Sequence, residues 1–533
     1  MAESGSGQQQ RAQMGGRPVF VLSEDSERTQ GRDAQQSNIS AGRAIAESVR
    51  STLGPKGMDK MLVDDGGDVV ITNDGVTILE EMDIEHPAAQ MLVEIAQTQE
   101  DDVGDGTTTA AILAGELLAQ AEDFLEQDIH PRTIVEGYTH AQRIALDAVE
   151  DATLEGEIDN EVLTSVAASS MTGKGTGDVD PETLAEYVVE AVRRVETDDG
   201  IDRDAIAVAT QAGQSAGATQ LINGAVADVG PSFDTSPRSV QNARVATING
   251  SLETREAEID AEYAIESADQ LGAALDAENE ELRGYAEAVV AADVDVLFCT
   301  GDVADVTENY LEKEGVVLFS GVDDADLSDI ATTTGATKLQ RVDDLSTDDV
   351  ATAKEVRVEK YEENEERTFV DGGEASPVVT LFVRGGTGHV LDELERAVDD
   401  AIDVVVAAID KGGVVPGGGS TEVAIATRLR EEAAGIEGRK QLAVEAVADA
   451  FDAIPRTLAR NAGMDPIDAL VDVRAAFDRD GRAGIVALGE TGEIDDPVEH
   501  GVLDPAAVKR EAVQSAVDAA TMIVRIDDVI SAD

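Results

Sequence analysis

Four short segments carry residue types and spacings that could handle a phosphate and a metal ion. The first is Thr52-Leu53-Gly54-Pro55-Lys56-Gly57-Met58-Asp59-Lys60. Two glycines and a proline after a helical pattern make a shaped loop whose backbone can approach a ligand closely; a helix C-terminus would read the same way. The second is Gly104-Asp105-Gly106-Thr107-Thr108-Thr109, which opens a helical stretch at 110–124. Its glycines free the backbone, three hydroxyls follow, and the amides of a new helix N-terminus face outward, suitable machinery for a phosphate. Asp105 would repel a bare phosphate but could hold its Mg2+. A helix capped by threonine would give the same letters. No Gly-Lys-Ser/Thr run occurs, so this is not a Walker loop.

The third segment spans 391–410. Leu391, Leu394, Val398, Ile402, Val405 and Ile409 form one helical stripe. At about 100° per residue, Asp400 falls nearly opposite that stripe, either as a solvated carboxylate or as a group aimed at a site. The segment runs into Val414-Val415-Pro416-Gly417-Gly418-Gly419, a turn too flexible for ordinary packing. The fourth is Ser170-Met171-Thr172-Gly173-Lys174-Gly175, where a lysine between glycines reads as an exposed, mobile cation. The chain has ten lysines, yet Lys56, Lys60 and Lys174 all sit in glycine-containing loops, which favours an anionic ligand. The five histidines show no metal-ligand spacing. The stretches 64–68 and 198–204 loosely suggest calcium loops but lack the completing Glu, so they read as solvated turns.

The elements that position these segments fall into two kinds. The N-terminal third is helical in pattern, with 134–152 and 181–196 clearly periodic, and Val69-Val70-Ile71-Thr72 reads as a strand ending in the turn Asn73-Asp74-Gly75. From about 205 to 370 short β-rich runs alternate with helical ones. Here 294–299 and 315–319 read as buried strands, and 309–313 and 324–333 as helices between them. After a strand at 378–383 the pattern is helical again. An α/β unit inserted into a helical domain made from both chain ends explains this order.

Composition narrows the function. There are 110 Asp+Glu against 40 Lys+Arg, a net charge of −70. The acids run along the whole chain and the apolar segments are long and periodic, which marks a salt-adapted surface rather than a disordered acidic tail. The absence of any basic cluster argues against nucleic acid and anionic membranes. Cys299 is the only cysteine, so no intrachain disulfide forms, and a reducing cytoplasm is expected. Residues 1–17 are polar and read as a floppy terminus without a signal core. No apolar run is long enough to span a bilayer.

Together the segments resemble the chaperonin family over essentially the whole chain. Residues 52–60, Thr72-Asn73-Asp74-Gly75, 104–109 and 415–419 look like that family's nucleotide signatures in their usual order. Gly57-Met58-Asp59-Lys60-Met61-Leu62, Glu85-His86-Pro87-Ala88-Ala89 and Arg525-Ile526-Asp527-Asp528-Val529-Ile530 point to group II, the thermosome and its eukaryotic relatives, in a haloarchaeal version. The resemblance implies ATP and Mg2+ as cofactors, with K+ also compatible. It implies that Asp105 binds Mg2+, and that Thr52, Leu53, Gly54, Pro55, Gly75, Gly106, Thr107, Thr108 and Thr109 surround the nucleotide. Asp74 and Asp400 would orient and activate the attacking water. Lys174 would sense the γ-phosphate, and Gly418 and Asp504 would contact adenine and ribose. Gly484-Ile485-Val486 departs from the Gly-Ile-Asn common in the group, and the Gly/Met-rich tail common in the family is not found before Asp533.

The implied fold is multidomain. It has an all-α equatorial domain from 1–147 and 403–533, a small α+β intermediate domain from 148–213 and 368–402, and an α/β apical domain at 214–367. The apical domain would carry a helical lid near 252–287, with sparse apolar positions at Leu271, Leu275 and Leu282. The implied partners are non-native polypeptides and identical or paralogous subunits in two stacked rings. Two rivals remain: a ring scaffold or holdase with little ATP turnover, and an unrelated ATP-using transferase. Intact Asp74, Asp105 and Asp400 argue against the first.

Overall fold

The computed structural model describes the chain except residues 1–11, 15–16, 20–26, 64–65, 68, 176–178, 198–199, 254–267, 362–364, 374–375, 490 and 532–533. Most of the terminal stretch 1–17, the lid tip and parts of both loosely calcium-like loops therefore lie outside the described residues.

Both ends of the chain are helical. The first part supplies α1 (Arg32–Val49), α2 (Gly75–Glu80), α3 (Pro87–Val103), α4 (Thr107–Glu126) and α5 (Pro131–Ala152). Local signals start these helices: the His86 and His130 rings cap α3 and α5, and each has Pro at its first position, where a missing N–H costs nothing. Next come α6 (Asn160–Met171) and α7 (Pro181–Val195). The middle holds α8 (Ala268–Ala291), α9 (Asp305–Glu314) and α10 (Asp324–Thr334). The last part holds α11 (Gly388–Asp410), α12 (Ser420–Ala433), α13 (Lys440–Phe451), α14 (Ala453–Asn461), α15 (Pro466–Asp480) and α16 (Ala506–Val524).

One core joins α1, α3, α4 and α5 to α12, α13, α14 and α16. It is built largely from Ala, Val, Ile and Leu, as the 3% aromatic content requires. Tyr138 is its largest fully buried side chain, and its hydroxyl donates to the Leu117 carbonyl at 2.8 Å. Tyr138→Phe keeps the ring and removes only this bond, so it should cost about 1 kcal/mol. Denaturant unfolding in molar KCl measures this, and an unchanged midpoint would show that the bond adds nothing.

A second core packs α6, α7 and α11 against a three-stranded sheet of Ile206–Ala212, Val379–Gly385 and Gln220–Ile222. Beyond it lies a seven-stranded sheet. Its main path runs Gly224–Ala227, Glu366–Asp371, Ala351–Lys360, Ser239–Ile248, Val296–Cys299 and Val317–Phe319, and Lys338–Leu339 pairs with Ser239–Ile248. The last three strands on the main path are parallel, with Val245 opposite Val296 and Val296 opposite Val317. Side chains alternate between two covered faces. Ile248, Leu297 and Leu318 meet α8 and α9, while Val245, Phe298 and Phe319 meet α10. Burial on both faces explains why these strands read as unbroken apolar runs.

Three expectations change. The helix at 309–313 extends over Asp305–Glu314. The helical C-terminal third also contains three-residue strands, Val414–Pro416 with Leu503–Pro505 and Gly484–Val486 with Glu493–Asp495. In the lid segment, Leu252 and Leu282 are buried in the core beneath the sheet and are not lid positions. The side chains of Leu271 and Leu275 are outside the described residues.

Candidate functional site

One cavity of about 410 Å3 opens between the helical core and the α6 region, within the size range of small-molecule sites. Thr52, Leu53, Gly54, Pro55, Asp74, Gly75, Asp105, Gly106, Thr107, Thr108, Thr109, Lys174, Gly418 and Asp504 all line it. Four segments far apart in sequence thus meet as the spacing analysis required. Asp400 stands behind the wall, paired with Lys174. Lys56 and Lys60 are not among the lining residues, so of the three loop lysines only Lys174 reaches the site.

The backbone shapes the floor. Gly75 lies so close to the start of α4 that a Cβ there would meet Thr107 Oγ1 at 2.9 Å and Thr108 Oγ1 nearer still. Gly418 has φ +61°, and its Cβ would sit 2.7 Å from the Ile485 carbonyl. Both positions require glycine. Gly106 and Gly419 are the N-caps of α4 and α12, and neither helix has a side-chain cap. In α12 the Ser420 N–H turns back to the Gly417 carbonyl at 3.1 Å, whereas the first amides of α4 are left for another acceptor, the arrangement that receives phosphate at a helix N-terminus.

The carboxylates are held by different means. Asp74 caps α2: the Thr77 N–H and hydroxyl both donate to its Oδ2, at 2.8 and 2.7 Å. Asp105 Oδ1 accepts the Gly106 N–H at 2.6 Å. Asp105 keeps a strip of surface toward the cavity, yet burial pushes its carboxyl upward, with Lys174 opposing. Asp400 is only 8% exposed. Burial pushes its carboxyl up to about 7, and Asp74 and Asp105 reinforce this against the Lys174 charge. Burial would lower the Lys174 ammonium, but Asp400, Asp105 and Asp74 outweigh it and hold the lysine firmly charged.

Two expectations are corrected here. Lys174 is not an exposed, mobile cation; its side chain is 15% exposed and clamped to Asp400. Asp400 is not a solvated helix carboxylate, because the buried face of α11 is wider than one stripe and takes in Glu393, Asp400 and Val404, leaving the open line to Asp392, Arg396, Asp399, Asp403 and Asp410. Residues that the sequence reading did not single out also gather here. Asn73 Nδ2 donates to the Gly173 carbonyl at 2.7 Å, tying the loop before α2 to the Lys174 loop. Glu100 lies near the same carboxylates, and burial followed by Asp400, Asp74 and Asp105 pushes it up to about 9. The Ser170 hydroxyl, at the cavity wall, is buried with no partner among the described residues. Asn73 and Ser170 belong to segments already in view, though neither was given a role; Glu100 carries no such signal.

A model of the TCP-1/cpn60 chaperonin family matches residues 45–533. The chain belongs to the TCP-1/cpn60 chaperonin family. Thermosome subunit 3 of Haloferax volcanii is 59% identical over 97% of this chain and 98% of its own length. Thermosome subunit alpha of Halobacterium salinarum is 47% identical over 98% and 92%. The thermosome subunit of Methanopyrus kandleri is 49% identical over 97% and 95%. The protein is thus a haloarchaeal-type group II chaperonin subunit, an ATPase that couples hydrolysis to protein folding.

The cavity fits the family's nucleotide and metal. Its phosphate end offers uncapped amides and threonine hydroxyls, and Asp105 offers a carboxylate that burial leaves short of positive charge. Among the described residues no group of three or more acidic, His or Cys side chains is placed to hold a metal. No helix among the described residues is long and apolar enough to cross a membrane.

Proposed function

We propose that the cavity binds Mg-ATP, with Asp105 as the protein ligand to magnesium and Thr107, Thr108, Thr109 and Gly54 around the phosphates. Asp74 and Asp400 orient and deprotonate the attacking water, Lys174 reads the γ-phosphate, and Gly418 and Asp504 face adenine and ribose. Bound magnesium supplies charge neutralisation; the chain supplies position and a proton acceptor. The convergence of all these residues except Asp400 on one wall, with Asp400 directly behind Lys174, carries the reading. Single-turnover ATP hydrolysis in molar KCl, run beside refolding of a denatured client, tests it. Client refolding without hydrolysis would favour a holdase.

The core joining both chain ends serves as the equatorial domain (1–147 and 403–533). The α6, α7 and α11 cluster serves as the intermediate domain (148–213 and 368–402), and the seven-stranded sheet belongs to the apical domain (214–367). Lys174 on the intermediate side and Asp105 on the equatorial side meet at the cavity, so nucleotide state is sensed at a domain boundary. In this reading subunits, identical or paralogous, stack as two rings in the cytoplasm and close a lid over a non-native polypeptide.

Assembly should depend on salt. Each subunit carries −70, and the screening length grows from about 3 Å at 1 M to about 30 Å at 0.01 M salt. Light scattering should report rings in molar KCl and dissociation on dilution into low salt. Rings unchanged in dilute buffer would refute the charge argument.

A further inference from the structure

At the far end of the cavity, and in its lining, a largely buried lysine joins two carboxylates. Lys509, in the first turn of α16, donates to Glu422 Oε1 on α12 at 2.8 Å and pairs with Asp504 Oδ2 at 2.7 Å. The side chains of Lys509 and Glu422 are 11% and 2% exposed, whereas Asp504 is 27% exposed and lines the cavity. Among the described residues no hydrogen bond is made to Asp504 Oδ1. The arrangement is directional: a buried acid holds a largely buried lysine, which holds one oxygen of a partly exposed carboxylate in the cavity lining. Burial would lower the lysine, but Asp504 and Glu422 together keep it charged. Its charge is also felt at Asp105, where it offsets Asp504.

A free carboxylate facing a cavity meant for a triphosphate would repel the ligand and sample several rotamers. Neutralised and fixed by Lys509, it instead becomes a pre-set acceptor for a pair of hydroxyl donors, and a vicinal diol supplies that pair. We propose that Lys509, anchored by Glu422, is a positioning residue that fixes Asp504 as the acceptor for the ribose diol and thereby sets the preference for ribonucleotides over deoxyribonucleotides. This rests on Asp504 lying at the ribose of bound ATP.

The test uses the full-length assembled protein in molar KCl, with ATP and 2′-deoxy-ATP as paired substrates. A site built to hydrogen-bond a hydroxyl rejects the analogue lacking it, and at this partly exposed carboxylate the wild type should prefer ATP by about 10-fold or more. Lys509→Met should raise KM for ATP by about 10-fold, with the loss falling on KM rather than kcat, and bring the ATP to 2′-deoxy-ATP ratio close to one. Lys509→Arg should keep a preference. Asp504→Asn should match Lys509→Met, and the double variant should be no worse than either single one. Should Lys509→Met fail to assemble, Glu422→Gln, which keeps the Lys509–Asp504 pair, should still lower the ratio. An undiminished ratio in whichever variant assembles overturns the proposal. If Asp504→Asn also leaves both substrates unaffected, the ribose assignment itself fails; if wild type binds no ATP, the cavity reading fails.

Discussion

Asp400→Asn should assemble, bind Mg-ATP within a few-fold of wild type, and hydrolyse it about 10²–10⁴-fold more slowly, the usual range for loss of a general base. The substitution is nearly isosteric, so the packed α11 loses no volume, and Lys174 retains Asp105 and Asp74 as nearby countercharges. The side chain is not in the cavity wall, which is why affinity should be spared. Its carboxyl, pushed up to about 7, is matched to taking a proton near neutrality. Wild-type hydrolysis should therefore fall as pH drops below about 7, because the protonated acid no longer accepts. Phosphate release measured beside calorimetric affinity separates the two effects. A wild-type rate in Asp400→Asn would remove the residue from the chemistry.

Asp105→Ala should do the reverse, abolishing tight binding before hydrolysis is reached. With few protein ligands on the metal, losing this one should weaken Mg-ATP by about 100-fold or more. The ligand-free protein should be no less stable than wild type, because the deletion removes a carboxylate that burial disfavours. A ligand at 100 times its Kd stabilises by about 2.7 kcal/mol. Thermal unfolding of wild type should thus shift upward with Mg-ATP, while Asp105→Ala should shift little. An equal shift in both would mean that the metal is held elsewhere.

How much of this was legible depends on what each residue needs in order to act. The cavity loops were readable because 104–109 and 415–419 recur with 52–60 and 72–75 in one order along the chain, whereas 104–109 alone would equally suit a threonine-capped helix. The long helices 131–152 and 181–195 were readable because one apolar stripe faces one core. The same rule misled at α11, whose buried face is far wider than one stripe, so that angle alone could not show where Asp400 goes. Helix α6 hid its stripe of Leu163, Val166, Ala167 and Met171 among small polar residues. The three-residue strands near Val415, Ile485 and Asp504 are too short for any period. Glu422 and Lys509 sit on ordinary helical faces 87 residues apart, and only the fold, in which α12 and α16 both pack on α5, makes them a pair.

The core shared by both chain ends has a consequence for how the subunit itself is made. Helices α1 and α4 pack on α16, α5 packs on α12, α13 and α16, and the strand Glu27–Gln30 pairs with Asp528–Ser531. Synthesis at about 5–20 residues per second takes roughly 27 to 107 s for a chain of this length, so α1 emerges long before α16 exists. The middle unit, with its partners close in sequence, can fold on the ribosome. The N-terminal helices must wait with apolar faces uncovered, and pairings this distant form slowly. A nascent chain arrested after α11 should therefore be protease-resistant across the seven-stranded sheet and the core of α6, α7 and α11, but not across α1 to α5. A machine that rescues unfolded chains is thus, during its own translation, one of the more demanding chains a cell has to fold.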